Sequence, residues 1–171
     1  MSAGTFGISQ HVLRREDENL ITGAGKYTDD KSFNNQAYVA FLRAPFAHAL
    51  LKSIDTSTAK NAPGVIAVFT GEDLQNSNIG DIPNMTPFPN YDGSPMALSM
   101  RPALAHAKVR HVGEIVAMVI AENISLATDA VELIDIDYEP LETVVDLEQA
   151  VADGAPQLWE NMPNNICLDF R

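Results

Sequence analysis

Cysteine is almost absent from this sequence. A single residue, Cys167, excludes an internal disulfide and a cysteine-based metal cage, and it fits a reduced, intracellular setting. Long apolar runs are equally scarce. The longest spans residues 115–121, seven in all, against the roughly 20 that a membrane-spanning helix needs. The opening MSAGTFGISQHVLRREDENL lacks the apolar stretch of a secretory signal. A soluble, cytoplasmic protein with no membrane span is expected. The last third also lacks positive charge. Residues 112–171 carry thirteen acidic side chains and one basic one, Arg171, whereas residues 1–111 carry ten of each. The whole net charge of −12 therefore sits in the C-terminal third. Nothing there can neutralise phosphates, so nucleic acid is not expected as a partner. The acidic face either aids solubility or meets a basic partner surface.

The motifs that usually carry chemistry are missing too. Gly23-Ala24-Gly25 has neither a third glycine nor a preceding buried strand and following helix, so it is no dinucleotide cradle. No GxSxG occurs, which leaves a hydrolase triad without support. The four histidines, His11, His48, His106 and His111, have no metal-ligand spacing. His111 and Glu114 straddle Gly113 and are placed to approach one another, but two ligands make a poor metal site. Asp135 and Asp137 share one strand face, where a solvated edge is the natural reading. Alone, the chain is expected to hold no metal or cofactor and to catalyse nothing.

What is present is an ordinary globular composition, 46% hydrophobic and 20% charged, at a length suited to one domain. Residues 1–36 read as an irregular arm. Residues 37–43 form the first strand, Pro45 interrupts it, and a second strand follows in AHALLKSI, with Leu51 and Ser53 set against Lys52 and Ile54. Asp55 is expected to cap two helical turns over residues 55–61. Residues 65–70 read as a wholly buried strand, and residues 71–74 turn the chain out of it. Residues 75–101 form a long excursion with four prolines yet several apolar side chains, expected to be ordered against something. Residues 108–112 lead into a central strand at 115–121. Ser125 is then expected to cap a helix with Ala127, Ala130, Val131 and Ile134 on one face. An alternating strand at 134–138 follows, and strand, helix and strand together suggest a right-handed crossover. Asp146 and Gln149 have capping-box spacing, opening a helix over 147–152. The core is expected around residues 65–70 and 115–121, with Ile134, Ile136 and Tyr138 beside them. The fold class is α+β: a mixed sheet, a few short helices and the excursion.

Three blocks in register resemble one family. The first is Arg14-Arg15-Glu16-Asp17 with Leu20-Ile21-Thr22-Gly23-Ala24-Gly25-Lys26-Tyr27-Thr28-Asp29-Asp30; the second holds Arg43-Ala44-Pro45-Phe46-Ala47-His48-Ala49 and Pro63-Gly64-Val65. The third holds Gly113-Glu114 and Asp137-Tyr138-Glu139-Pro140-Leu141. Together they are similar to the opening of the large subunit of molybdenum hydroxylases, the aldehyde oxidase and xanthine dehydrogenase family, and look closest to a carbon monoxide dehydrogenase-like large chain. Ile115 stands where the family often has proline, and the resemblance fades over residues 75–101. It implies an a/b hammerhead domain over residues 37–160, preceded by the arm at 1–36. Residues 161–171 would begin a linker to a molybdenum-binding domain that the family places downstream. The glutamate base, the cofactor-holding glutamine and the glycine-rich segments would all lie there, so the chain reads as an excised or truncated piece. The implied role is structural and docking, within an oxidoreductase acting on carbon monoxide, aldehydes or N-heterocycles. A molybdenum–pterin dinucleotide belongs to the full-length subunit, and iron–sulfur and flavin subunits or domains are the implied partners. A freestanding interaction module is the alternative. Met85, Phe88 and Pro89 in the excursion are the candidate contacts to a substrate funnel.

Overall fold

The computed structural model describes residues 14–85, 87–99 and 101–171; Gly4, Gly7 and His11 lie outside them. The chain divides into two units, Met1–Gln36 and Ala37–Arg171. In the first, the expected irregular arm gains a one-turn helix, α1 (Asp17–Ile21). Asp17 and Glu18 in its first turn suit the positive end of the helix dipole. A 3-10 turn at Thr28–Asp30 follows, closed where the Asp30 carboxylate accepts the Tyr27 N–H at 2.8 Å.

The second unit runs β1 (Tyr38–Arg43), β2 (Ala49–Asp55), α2 (Ser57–Lys60), β3 (Val65–Thr70) and α3 (Gly71–Asn76). After the excursion come β4 (Lys108–Val109), β5 (Ile115–Ala121), α4 (Ile124–Val131), β6 (Asp135–Pro140) and α5 (Leu147–Ala150). The six strands form two three-stranded sheets, ordered β1-β5-β3 and β4-β2-β6. Every ladder is antiparallel. The mixture of sheets and short helices agrees with the expected class, but the crossover does not. β5 and β6 lie in different sheets, so α4 connects two layers rather than two parallel neighbours, and the handedness rule has no sheet to act on.

β5 is the middle strand of its sheet, and its Val116, Ala117, Val119 and Ala121 are fully buried. Ala117 and Val119 pack with Ala59, Val68, Ala130 and Ile134. Val116, pointing the other way, packs with Ala44, Ala49, Ala105 and Val109. Leu42 and Ile136 border both clusters and join them. On β6, Ile136 and Tyr138 face inward while Asp135 and Asp137 stand in water, as the alternation predicts.

Several local expectations shift. β3 is an edge strand, not a buried one: Val68 is buried but Ile66 is 60% exposed. A uniform apolar run does not by itself tell an edge from a centre. On β2 the register shifts between Leu51 and Ser53, so Leu51 and Ile54 both pack inward and simple alternation fails. Asp55 ends β2, and its carboxylate accepts the Ser57 N–H at 2.8 Å, leaving α2 a single turn with Thr56 before it. The segment at 71–74 is no mere turn, because Thr70 and Asp73 form a capping box that starts α3. Gly71 enters there because a Cβ would stand 2.5 Å from the Ala105 carbonyl oxygen. Asn123, rather than Ser125, caps α4, accepting the Leu126 N–H at 2.9 Å. Asp146 caps α5 as expected, although the helix stops at Ala150.

Placing a charge at Val119 buries it unpaired in the middle strand, whereas Ile66 already meets water. Val119→Asp is expected to cost several kcal/mol, enough to unfold a domain of about 5–15 kcal/mol stability. Ile66→Asp should change the melting temperature little. Thermal melts followed by circular dichroism check both; a folded Val119→Asp protein melting with wild type would remove β5 from the centre.

Candidate functional site

The excursion is not loose chain. Beyond α3 it returns on itself, with Ile82 N–H donating to the Arg101 carbonyl at 2.8 Å. Its tip is a small hairpin bridged between Pro89 and Pro95. The Asn90 side-chain amide donates to Ser94 Oγ and the Pro95 carbonyl, each at 3.0 Å. The Ser94 hydroxyl, 2.6 Å from the Asp92 carboxylate, is the main reason that carboxyl lies below its ordinary range. The partner expected for this segment turns out to include the chain's own C-terminal residues. Tyr91 N–H donates to the Asp169 carbonyl, Ala97 N–H to the Cys167 carbonyl, and the Asn161 amide to the Leu98 carbonyl. Of the three candidate contacts, Phe88 and Pro89 sit together at the foot of this hairpin, while Met85 stands apart on the approach to it. All three are exposed, Met85 at 83% and Phe88 at 57%.

A second feature escaped the sequence reading. Residues paired across an antiparallel ladder share a face. Val39 pairs with Ile120, and Phe41 with Met118, which pairs in turn with Phe69. Helix α4 lies on the opposite face, across β1 and β5, where its Ala130 packs with Ala117 and Val119. The face away from α4 therefore presents Val39, Phe41, Met118, Ile120 and Phe69, with no charged side chain among them. Phe41 is 44% exposed and Phe69 is 36% exposed. An open sheet face ordinarily alternates to polar residues. The signal in the sequence is that strands 38–43 and 65–70 are apolar at both parities, which over 65–70 reads as burial.

The other singled-out groups stay apart from any ligand set. His111 and Glu114 do approach, at 3.7 Å, but the Glu114 carboxylate also accepts the Arg110 N–H. His48 is buried, its Nδ1 2.8 Å from the Glu142 carbonyl. Asp135 and Asp137 are exposed. Among the described residues, no three His, Cys, Asp or Glu side chains are grouped to hold a metal ion. No helix among them is long and apolar enough to cross a membrane.

Residues 22–142 match the sequence profile described as aldehyde oxidase and xanthine dehydrogenase, a/b hammerhead domain. The chain belongs to that family. Among its relatives, the nicotine 6-hydroxylase large subunit of Paenarthrobacter nicotinovorans is 38% identical over 164 residues, covering 96% of this chain and 19% of that one. Quinoline 2-oxidoreductase from Pseudomonas putida 86 superposes with a TM-score of 0.74 at 39% identity, over 86% of this chain and 18% of that one. A Cu,Mo-CO dehydrogenase in its carbon monoxide reduced state gives 0.73 at 36% identity, over 95% and 19%. This chain thus spans less than a fifth of the relatives it matches.

Within the larger unit, the motifs of the second and third blocks sit at joints between strands. Ala44 and Gly113 exchange backbone hydrogen bonds with the 113–114 turn and with β1's end: Ala44 N–H donates to the Glu114 carbonyl at 2.9 Å, and Gly113 N–H to the Ala44 carbonyl at 2.8 Å. Leu141 N–H donates to the His48 carbonyl, joining the second and third blocks. The segment beyond α5 is tied down through Glu160, whose carboxylate lies 2.8 Å from Lys108 Nζ and 3.8 Å from Arg110 Nη2. Both cations have side chains only 16% exposed. The hydrogen bond from Lys108 holds the Glu160 carboxyl below its ordinary range. A depressed carboxylate stabilises the fold above its unfolded pKa, and that contribution disappears as pH falls through the folded value. Glu160→Gln is expected to cost no more than about 1 kcal/mol at neutral pH, because Glu160 itself is largely in water. The difference from wild type should close below about pH 4. Chemical denaturation across pH checks this, and a gap that persists in acid would show that the ion pair is not its source.

Proposed function

We propose that this hammerhead domain is a docking and structural domain of the large subunit of a molybdenum hydroxylase, without catalytic groups of its own. The open apolar face of the β1-β5-β3 sheet carries this reading: five apolar side chains on three strands, on the face away from α4. Its occupant is the remaining polypeptide of the large subunit, since in relatives the matching region is under a fifth of one chain. The reaction is oxidation or hydroxylation at carbon, of carbon monoxide, an aldehyde or an N-heterocycle, in the cytoplasm. The support is the kinship with proteins named for such substrates.

A molybdenum–pterin dinucleotide would supply the redox chemistry of the full-length enzyme. This chain's own residues are assigned no part in holding it. Iron–sulfur and flavin modules are the further partners that the family resemblance supports. In the proposed division of the chain, residues 1–36 are an arm, 37–160 the hammerhead domain, and 161–171 lead toward the molybdenum-binding part.

The excursion would line part of the substrate funnel. Met85, Phe88 and Pro89 are exposed on a hydrogen-bonded hairpin and its approach, which suits a wall that touches passing substrate. In the full-length enzyme, Met85→Ala and Phe88→Ala are expected to change KM, or selectivity between large and small substrates, by a few-fold, while molybdenum content stays at the wild-type level. Steady-state kinetics with substrates of two sizes decide it. Identical constants for wild type and both variants would remove the loop from the substrate path.

A further inference from the structure

A cleft of about 270 Å3 lies where the end of β1, the 111–115 turn, the base of the excursion and Trp159 come together. Three basic side chains line it, Arg43, Arg101 and His111, beside the apolar Ile82, Ile115 and Trp159. The charges there are not balanced. Arg43 Nη1 donates to the Gly113 carbonyl at 2.9 Å and forms no ion pair among the described residues. Among the described residues, the Arg101 guanidinium has no hydrogen-bond or ion-pair partner at all. The one carboxylate lining the cleft, Glu114, is engaged by the Arg110 N–H and lies 3.7 Å from His111 Nδ1. Two permanently charged guanidinium groups thus line one small volume that holds a single carboxylate, in a chain whose net charge is −12.

We propose that this cleft binds the carboxylate of a small organic acid with an apolar body. Arg43 and Arg101 hold the carboxylate, and Ile82, Ile115 and Trp159 flank the body. A guanidinium is a planar fork of donors that matches a carboxylate in two parallel hydrogen bonds. Inorganic phosphate has no apolar body to set against Ile82, Ile115 and Trp159, so it gains only the guanidinium contacts. The volume lies at the small end for ligand sites, so the acid is compact. A carboxylate offered by an Asp or Glu side chain of a partner would use the same guanidinium pair but not the apolar wall. This site stands independently of the docking role.

Trp159 is the only tryptophan in the chain, so intrinsic fluorescence reports on this cleft directly. Titration of the 171-residue chain with benzoate is expected to give a saturable change in that fluorescence. Benzamide, the neutral isostere, should give none, and acetate and inorganic phosphate should bind at least about tenfold more weakly. Arg101→Gln removes a guanidinium with no hydrogen-bond or ion-pair partner among the described residues, so its melting temperature should hold while benzoate affinity falls about tenfold or more. Arg43→Gln should weaken benzoate binding to the same degree, with a small loss of stability from its bond to the Gly113 carbonyl, and Lys60→Gln, on α2, should leave binding unchanged. Benzoate binding that does not saturate, that benzamide reproduces, or that survives Arg101→Gln would overturn the site. Acetate or phosphate binding as tightly as benzoate would overturn its assignment to an organic acid with an apolar body.

Discussion

Everything in the larger unit hangs on β5 and the turn that feeds it. The strand pairs on both edges, with β1 along its length and with β3 over residues 117–121, so its backbone groups there find partners within the sheet. At its entrance Ala105 N–H donates to the Ile115 carbonyl at 2.8 Å, while Ala44 and the 113–114 turn exchange two further bonds. Gly113 makes that turn with φ near +85°, a left-handed conformation that glycine adopts without a Cβ penalty. From there the side chains divide, Val116 to one cluster and Ala117 with Val119 to the other. One strand therefore positions both sheets, and through Arg43 and Glu114 it also sets the walls of the basic cleft.

How much of this the sequence discloses depends on which force decides each element. The seven apolar residues at 115–121 and the alternation at 134–138 are dominated by burial, and both strands appear where the pattern puts them. Asp146 caps its helix because the capping interaction is local. The failures come where a tertiary partner decides. VIAVFT reads the same whether one face or two are covered, and here the sheet ends at that strand. A register shift on β2 brings Leu51 and Ile54 inward together, which no period of two foretells. Asn123 displaces Ser125 as the cap of α4 because β5 ends at Ala121, two residues before it.

The candidate sites divide in the same way. Met85, Phe88 and Pro89 stood out by composition, as apolar residues in an unpatterned segment, and their exposure became visible only once the hairpin closed against residues 161–169. Arg43 and Arg101 are 58 positions apart in the chain, and nothing local marks them as neighbours. The apolar sheet face lay in plain view as Phe41 and Phe69, yet an aromatic on a strand is ordinarily taken for core. Its meaning emerges from the ladders that align both with Met118 on the side α4 leaves uncovered.

That uncovered face is the heart of the docking account, and it is open to a direct measurement. The chain and the remainder of the large subunit would be co-expressed as separate polypeptides, with a tag on one, and copurification measured. The account predicts that they copurify, and that the double variant Phe41→Glu with Phe69→Glu abolishes this while the chain alone melts within a few degrees of wild type. A double variant that folds and still copurifies as wild type does would contradict docking through this face.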